Sequence, residues 1–439
     1  MRIKGIERKI MGKKLEISAC ISGLPNHEPD TRLWFRFSNG KADGPGPDIG
    51  LAESLTDRAE PFVTALLPTA MTVGQSIKVD GTVSERLLCG CAQVMDIFTK
   101  WYRRLHAVSI EPDTVTNERF NSQGVLCFFT GGVDSFYTVL KNLDEAAPSE
   151  RISSLLLIHG IDIPLENATL FDSVREDLAA AARSLGTGLI ICETNIRHLT
   201  DRYVRWRIQT GAGLASIALC LSPVFRKVLI ASDDIYSSLL PWGSHPLVDP
   251  LWSTESTTFI HDGCEASRVQ KVCRYIGKSE IALHHLRVCY KNTESLFNCG
   301  KCEKCVRTMI NLRIAGALDR CTTFESPLDL NLLQGTLLEN PVGIYYIPDD
   351  LKAVSSSGGD PELETALRTV MKCLPVRMAR TFLLVDRFDE QYLGGAARKV
   401  CRTIKRMLRG RKRVKKTKPD AEFFRKKQNV ERGVRDAGI

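Results

Sequence analysis

Two groups of residues in this chain have the types and spacing that chemistry requires. The first is Thr130-Gly131-Gly132-Val133-Asp134-Ser135, entered from the apolar run Val125 to Phe129 and left through Phe136, Val139 and Leu140 at helical spacing. This pattern predicts a buried strand, a tight turn and a helix. Two glycines let the backbone turn sharply and come close to a ligand, while the amides at the helix N-terminus point at negative charge. The hydroxyls of Thr130 and Ser135 add donors. Asp134 suits bare phosphate poorly, because a carboxylate repels it unless Mg²⁺ lies between the two or the carboxylate holds an amide. The loop therefore reads as a phosphate cradle with a candidate Mg²⁺ contact at Asp134.

The second group is Cys289, Cys299, Cys302 and Cys305, spaced Cys-x9-Cys-x2-Cys-x2-Cys. Four thiolates at turn-compatible spacing can close a tetrahedral metal site, and Gly300 allows the chain to bend around it. Zinc is the expected ion, although an iron–sulfur cluster accepts the same ligands. With four protein ligands no coordination position stays open, so the metal should stabilise the fold rather than catalyse.

These groups need a scaffold. From 116 to 325 strand and helix signals alternate: Val125 to Phe129, Leu155 to Ile158, Gly188 to Cys192, Lys227 to Ala231 and Leu286 to Cys289 as strands, with helices at Leu170 to Leu185 and Gly213 to Leu221. Such alternation predicts an α/β fold built on a doubly wound parallel sheet. Ligands in that fold sit beyond the carboxyl ends of the strands, so His159, Asp162, Glu193, Asn195, Ser232 and Asp233 are site candidates by position, with His159 and Asp162 assigned to the nucleotide. The stretch 241–255, rich in Trp and Pro, reads as an acceptor-substrate loop with His245, Asp249 and Glu255 as its polar contacts. Residues 1–115 read as a small α+β accessory domain, with a helix from the Ser84 cap to Tyr102. Residues 326–395 read as a helical extension with Ser355 to Gly359 as a flexible connector, and 396–439 as a basic helix and tail.

The glycine loop resembles the Ser-Gly-Gly-x-Asp-Ser loop of the PP-loop (N-type) ATP pyrophosphatases, with Thr130 in place of serine, which implies an adenine nucleotide alpha hydrolase-like fold. Together with the cysteine spacing, it is similar to the 7-cyano-7-deazaguanine synthase family, whose zinc knuckle has the same order. The resemblance covers roughly 120–312. It implies ATP and Mg²⁺ in the loop, AMP transfer to a carboxylate or amide oxygen, and attack by ammonia or an amine to form a C–N bond. It also implies a lysine after the fourth strand that meets the departing pyrophosphate. Lys271, with Arg268 beside it, is the candidate. The 241–255 stretch does not reproduce the purine-recognition segment of that family, so the acceptor stays open between a small carboxylate, tRNA and a protein. Residue 2 is Arg, so a glutaminase of the asparagine synthetase type, which needs a cysteine there, is not expected. Cys127 and Cys192 are the candidates for a sulfur-transfer role; buried inert thiols are the preferred reading.

Composition sets the outer limits. The chain has 439 residues, 43% of them hydrophobic and 25% charged, and no opening stretch patterned as an export signal, so a cytoplasmic protein without a membrane span is expected. Its formal charge of +9 is concentrated between Arg398 and Lys427, where fifteen Lys and Arg oppose only Asp420 and Glu422. The tail can follow phosphates on a nucleic acid, lie on an anionic membrane or contact a protein, or it can act only as a solubilising segment. A non-catalytic nucleotide-sensing or nucleic-acid-binding protein is the reading from a different class.

Overall fold

The apolar run ahead of the glycine loop forms the middle strand of a parallel five-stranded block. In the computed structural model, residues 1–25, 31–39, 54–292, 297–331, 333, 346–373, 385 and 388–389 are described. Strands β6 (Gly124–Phe128), β7 (Ser154–His159), β8 (Gly188–Thr194), β9 (Phe225–Ala231) and β10 (Thr258–Asp262) are parallel, in the order β10-β9-β6-β7-β8. The chain steps outward from β6 to β7 and β8, then returns to the other side of β6 for β9 and β10. That reversal opens a crevice at the carboxyl ends of β6 and β9, where open α/β sheets bind ligands.

Every second residue of these strands serves a different core, as the pleat requires. Val125 and Cys127 pack with helices α3 (Val133–Glu145) and α4 (Ala168–Ser184), whereas Leu126 and Phe128 pack with α6 (Trp206–Leu219). Cys127 and Cys192 therefore lie in different cores on opposite faces, both buried, and cannot act as a reactive pair.

The N-terminal region adds to this sheet. Strand β3 (Thr31–Asn39) pairs antiparallel with β8, and β2 (Lys14–Ser22), β1 (Arg2–Met11), β4 (Ile77–Ser84) and β5 (Ile110–Thr116) follow to complete ten strands. Helices α1 (Glu60–Val73) and α2 (Glu85–Trp101) share the core of α6, β9 and Trp252. The connection from β9 to β10 has no α-helix of its own, only two short 3₁₀ turns. The two N-terminal helices cover that face instead, so the expected boundary near residue 115 interrupts neither the sheet nor the core. Ser84 caps α2 by accepting from Leu87 N at 3.0 Å, and Leu87, Cys91, Val94 and Phe98 are its buried stripe, as their spacing predicts. Helix α1 is not predicted by its sequence, because Pro61 and Pro68 break its pattern; Pro61 sits in the first turn, where proline is tolerated.

Two further expectations change. Leu286 to Cys289 is irregular backbone rather than a strand, because its Arg287 amide bonds the glycine loop, at Gly131 O, 2.8 Å. Ser355 to Gly359 is the end of helix α10 (Ile347–Ser356) and a turn into α11 (Pro361–Cys373), with Gly358 and Gly359 at positive φ. Among the described residues α5 (Ile196–Thr200), α7 (Arg268–Arg274), α8 (Glu280–His285) and α9 (Glu303–Ile314) are further helices. Residues up to Leu383 form one compact unit; of the second, Leu384–Ile439, only Val385, Phe388 and Asp389 are described, so the basic tail lies outside the described residues. No described helix is long and apolar enough to cross a membrane.

Candidate functional site

The glycine loop lies at the crevice. Gly131 has φ 73°, a conformation that favours glycine, and a Cβ there would stand 2.8 Å from Leu178 Cδ2, so that the leucine end would have to move. Gly132 is the N-cap of α3, leaving the amides of its first turn free of intrahelical partners. The hydroxyls brace the loop: Ser135 Oγ donates to Gly132 O at 3.1 Å, and Gly132 N donates to Thr130 Oγ1 at 3.4 Å.

Asp134 is joined by the two cations singled out from the sequence. Lys271 Nζ lies 3.0 Å from Asp134 Oδ1, and Arg268 Nη1 lies 2.7 Å from Oδ2. Burial opposes ionisation of Asp134, but Lys271 and Arg268 overcome it and hold the carboxyl well below the usual carboxylate range. The Lys271 side chain is 1% exposed and also donates to Ser232 O at 2.5 Å, tying α7 to the end of β9. Asp234 follows on that strand; burial, then Asp233 and Asp134, push its carboxyl up to about 7. Thr130, Gly132, Val133, Asp134, Ser135 and Asp162 face Arg268, Arg287 and Lys304 across a cleft of about 150 Å³. That is below the ~300 Å³ at which pockets for whole organic ligands begin, so the cleft suits a charged group rather than an entire nucleotide.

The four cysteines converge beside this cleft. Their sulfurs lie within 4.8 Å of one another, and Cys299 and Cys305 are 3.9 Å apart. Four sulfurs at metal bonds of ~2.3 Å stand ~3.8 Å apart in a tetrahedron, so the cluster could hold a metal ion such as zinc. Gly300 takes φ 65°, and Cys302 N donates to Cys299 Sγ at 3.3 Å. Asn298 clamps the two halves of the knuckle. Its Oδ1 accepts from Val288 N at 2.8 Å and Cys289 N at 3.1 Å, while Nδ2 donates to Leu286 O at 2.7 Å.

No protein-family model, curated protein or solved structure matches this chain. The chemistry open to the site therefore follows from its own geometry.

Several candidates lie elsewhere in tasks of their own. His159 stacks on Phe171 at 4.0 Å between ring centroids, with its Nε2 3.0 Å from Pro164 O. Glu193 pairs with Lys14, and Asn195 bonds Trp34 N and Arg32 O, stapling β8 to the N-terminal strands. None of His245, Asp249 and Glu255 lines the cleft. The 241–255 stretch is instead a packed strut: Trp252 is fully buried, His245 meets the Trp101 ring edge-on, and Glu255 Oε1 accepts from Arg86 N in the first turn of α2. Its Trp and Pro content reflects packing of α2 and α6 against β10.

Asp249, also fully buried, has its Oδ2 2.6 Å from His261 Nδ1 and accepts there from Ser244 Oγ at 2.7 Å. Burial opposes protonation of His261, yet the bond to Asp249 wins and raises its pKa to about 9. The unfolded value is about 6.5, so the pair contributes fully below that pH and its contribution is lost as pH rises through the folded value. Thermal denaturation between about pH 6 and 10 should therefore show Tm falling from about pH 6.5 to about 9 and levelling above it. His261→Gln should be less stable at the acid end and lose most of that slope. Equal slopes in both proteins would mean that the folded imidazole is neutral.

Residues not foreseen from the sequence are Arg287, Asn292, Asn298, Arg307, Tyr346 and Asp350. Arg307 pairs with Glu303 at 3.1 Å and has the Tyr346 ring 4.0 Å from its guanidinium carbon. Asp350, on α10, accepts from Asn311 Nδ2 at 2.7 Å, and burial pushes its carboxyl up to about 7 although Arg307 works against the shift. The one sequence signal for these was the position of Arg287 and Arg307, each two residues from a cysteine of the cluster.

Proposed function

We propose that the chain is an ATP-dependent adenylating enzyme of the PP-loop kind. The carrying observation is the glycine loop at the switch point of the sheet, with Asp134 kept ionised between Lys271 and Arg268. ATP lies with its phosphates on the amides of Gly131, Gly132, Val133 and Ser135, at the N-terminus of α3. Asp134 is the residue that would hold Mg²⁺, which when bound offsets charge on the phosphates. An acceptor carboxylate or amide oxygen attacks the α-phosphate, the acyl-adenylate or its imidate counterpart forms, and pyrophosphate departs towards Lys271 and Arg268. Ammonia or an amine then displaces AMP and forms the C–N bond. Catalysis on this reading is positioning and charge stabilisation, since fixed amides and cations meet charge that develops on the phosphates. The cysteine cluster holds zinc in a closed, structural site.

Pyrophosphate release tests the reading. Purified protein with ATP and Mg²⁺ is offered pools of small carboxylates, tRNA and peptides in turn, beside Gly132→Ala. That variant keeps a permitted backbone, φ −79°, and its new methyl meets only Thr130 Oγ1, at 3.3 Å, and Arg287 O. It does stand where phosphate must approach. One pool should stimulate release, and the variant should fall at least a hundredfold below wild type. If wild type binds ATP but no pool yields pyrophosphate, adenylation is wrong and nucleotide sensing replaces it.

A further inference from the structure

The two cationic walls of the cleft differ in how they are used. Lys271 and Arg268, on the β9 side of the loop, are already committed to Asp134. Arg287 stands on the β7 side, where its backbone N bonds Gly131 O and its neighbour Asn292 donates to Asp162 O at 2.8 Å. The residue is 7% exposed, and its guanidinium makes one hydrogen bond among the described residues, from Nη2 to Asn292 Oδ1 at 2.6 Å. Its buried Nε has no partner among the described residues. Asp162 lines the same wall without bonding it. A buried guanidinium with an idle donor is costly unless an anion completes it, and its planar fork matches a carboxylate.

We propose that Arg287 anchors a carboxylate of the acceptor, on the wall of the cleft across the loop from Arg268. The assignment of the anion to the acceptor rests on the adenylation reading above. The acceptor would then be a compound with an acidic group that reaches the floor of the cleft, and its binding would weaken with salt as other charge-assisted contacts do.

Saturation-transfer NMR on the full-length, metal-loaded protein tests this with carboxylates from acetate to benzoate, each beside the alcohol of the same skeleton. Wild type should bind the carboxylates and not the alcohols. Arg287→Met should lose at least tenfold in carboxylate affinity, and Arg287→Lys should recover part of it. Both variants should keep wild-type metal content and ATP–Mg²⁺ affinity within twofold. The proposal fails if no carboxylate binds wild type or if Arg287→Met binds them equally. It also fails if the variant loses ATP affinity instead, because the anion is then a nucleotide phosphate. Loss of metal without a selective loss of carboxylate overturns it too, since the guanidinium would then only balance the thiolates. Arg287-dependent carboxylate binding by a protein that never binds ATP would sink the nucleotide reading and leave the anion site standing.

Discussion

Asp134→Ala is expected to lower the free energy of unfolding by about 3–5 kcal/mol, the range for breaking a buried ion pair from one side. The reason is what it leaves behind. Lys271 is fully enclosed and Arg268 nearly so, with 1% and 9% of their side chains exposed, and both direct a hydrogen bond at that carboxylate. Truncation strands two cations in a poorly solvated place, which outweighs the desolvation cost relieved by removing one carboxylate. Lys271→Met in the same chain removes one of those charges, so the double variant should regain a large part of the loss. Urea unfolding of the four proteins of this cycle measures the coupling directly. A single-variant effect below about 1 kcal/mol would place the triplet with surface ion pairs and remove the electrostatic basis for an ionised Asp134.

Loss of any one cluster thiol should have the second large effect. Purified wild type is expected to carry one zinc per chain with no visible absorbance, and Cys302→Ser should carry almost none. Structural zinc contributes roughly 10–16 kcal/mol of apparent binding energy in small zinc-finger peptides, and part of it appears here as fold stability. A fall in Tm of several degrees is expected, since 1 kcal/mol shifts Tm by only about 1 °C in a chain of 439 residues. The damage should reach the glycine loop. Asn298 ties Leu286, Val288 and Cys289 together, and Arg287 N bonds Gly131 O, so a slack knuckle releases one wall of the cleft. Metal analysis and thermal denaturation of the serine variants read both effects. Full metal content in Cys302→Ser would exclude a four-cysteine site, and brown, iron-containing protein would replace zinc by an iron–sulfur cluster.

Local patterns were legible wherever a residue's role depended on its neighbours in sequence. The helix capped by Ser84, the strand ahead of Thr130, the turn at Gly131 and the cysteine spacing each follow from periods of two or 3.6, from capping chemistry or from metal geometry within one short stretch. Lys271 and Arg268 share one face of one helix, and that face meets Asp134. The 241–255 stretch misled because its composition serves packing equally well: Trp252 fills the core and Glu255 caps α2, roles that exist only once α2 has been brought to that place.

The sequence by itself determined the alternation of strand and helix around parallel strands, the glycine turn into α3 and a cysteine set that could hold a metal ion, because each is a local agreement between residue type and backbone geometry. The tertiary structure decided which partners those elements meet. It joined residues 1–115 to the same sheet through β3 and β8, and gave their helices to the face that the β9–β10 connection leaves uncovered. It also turned Leu286 to Cys289 away from a strand and against Gly131, which put Arg287 into the cleft. Those outcomes depend on hydrogen bonds and buried area between segments more than 100 residues apart, and no local period in the chain carries that information.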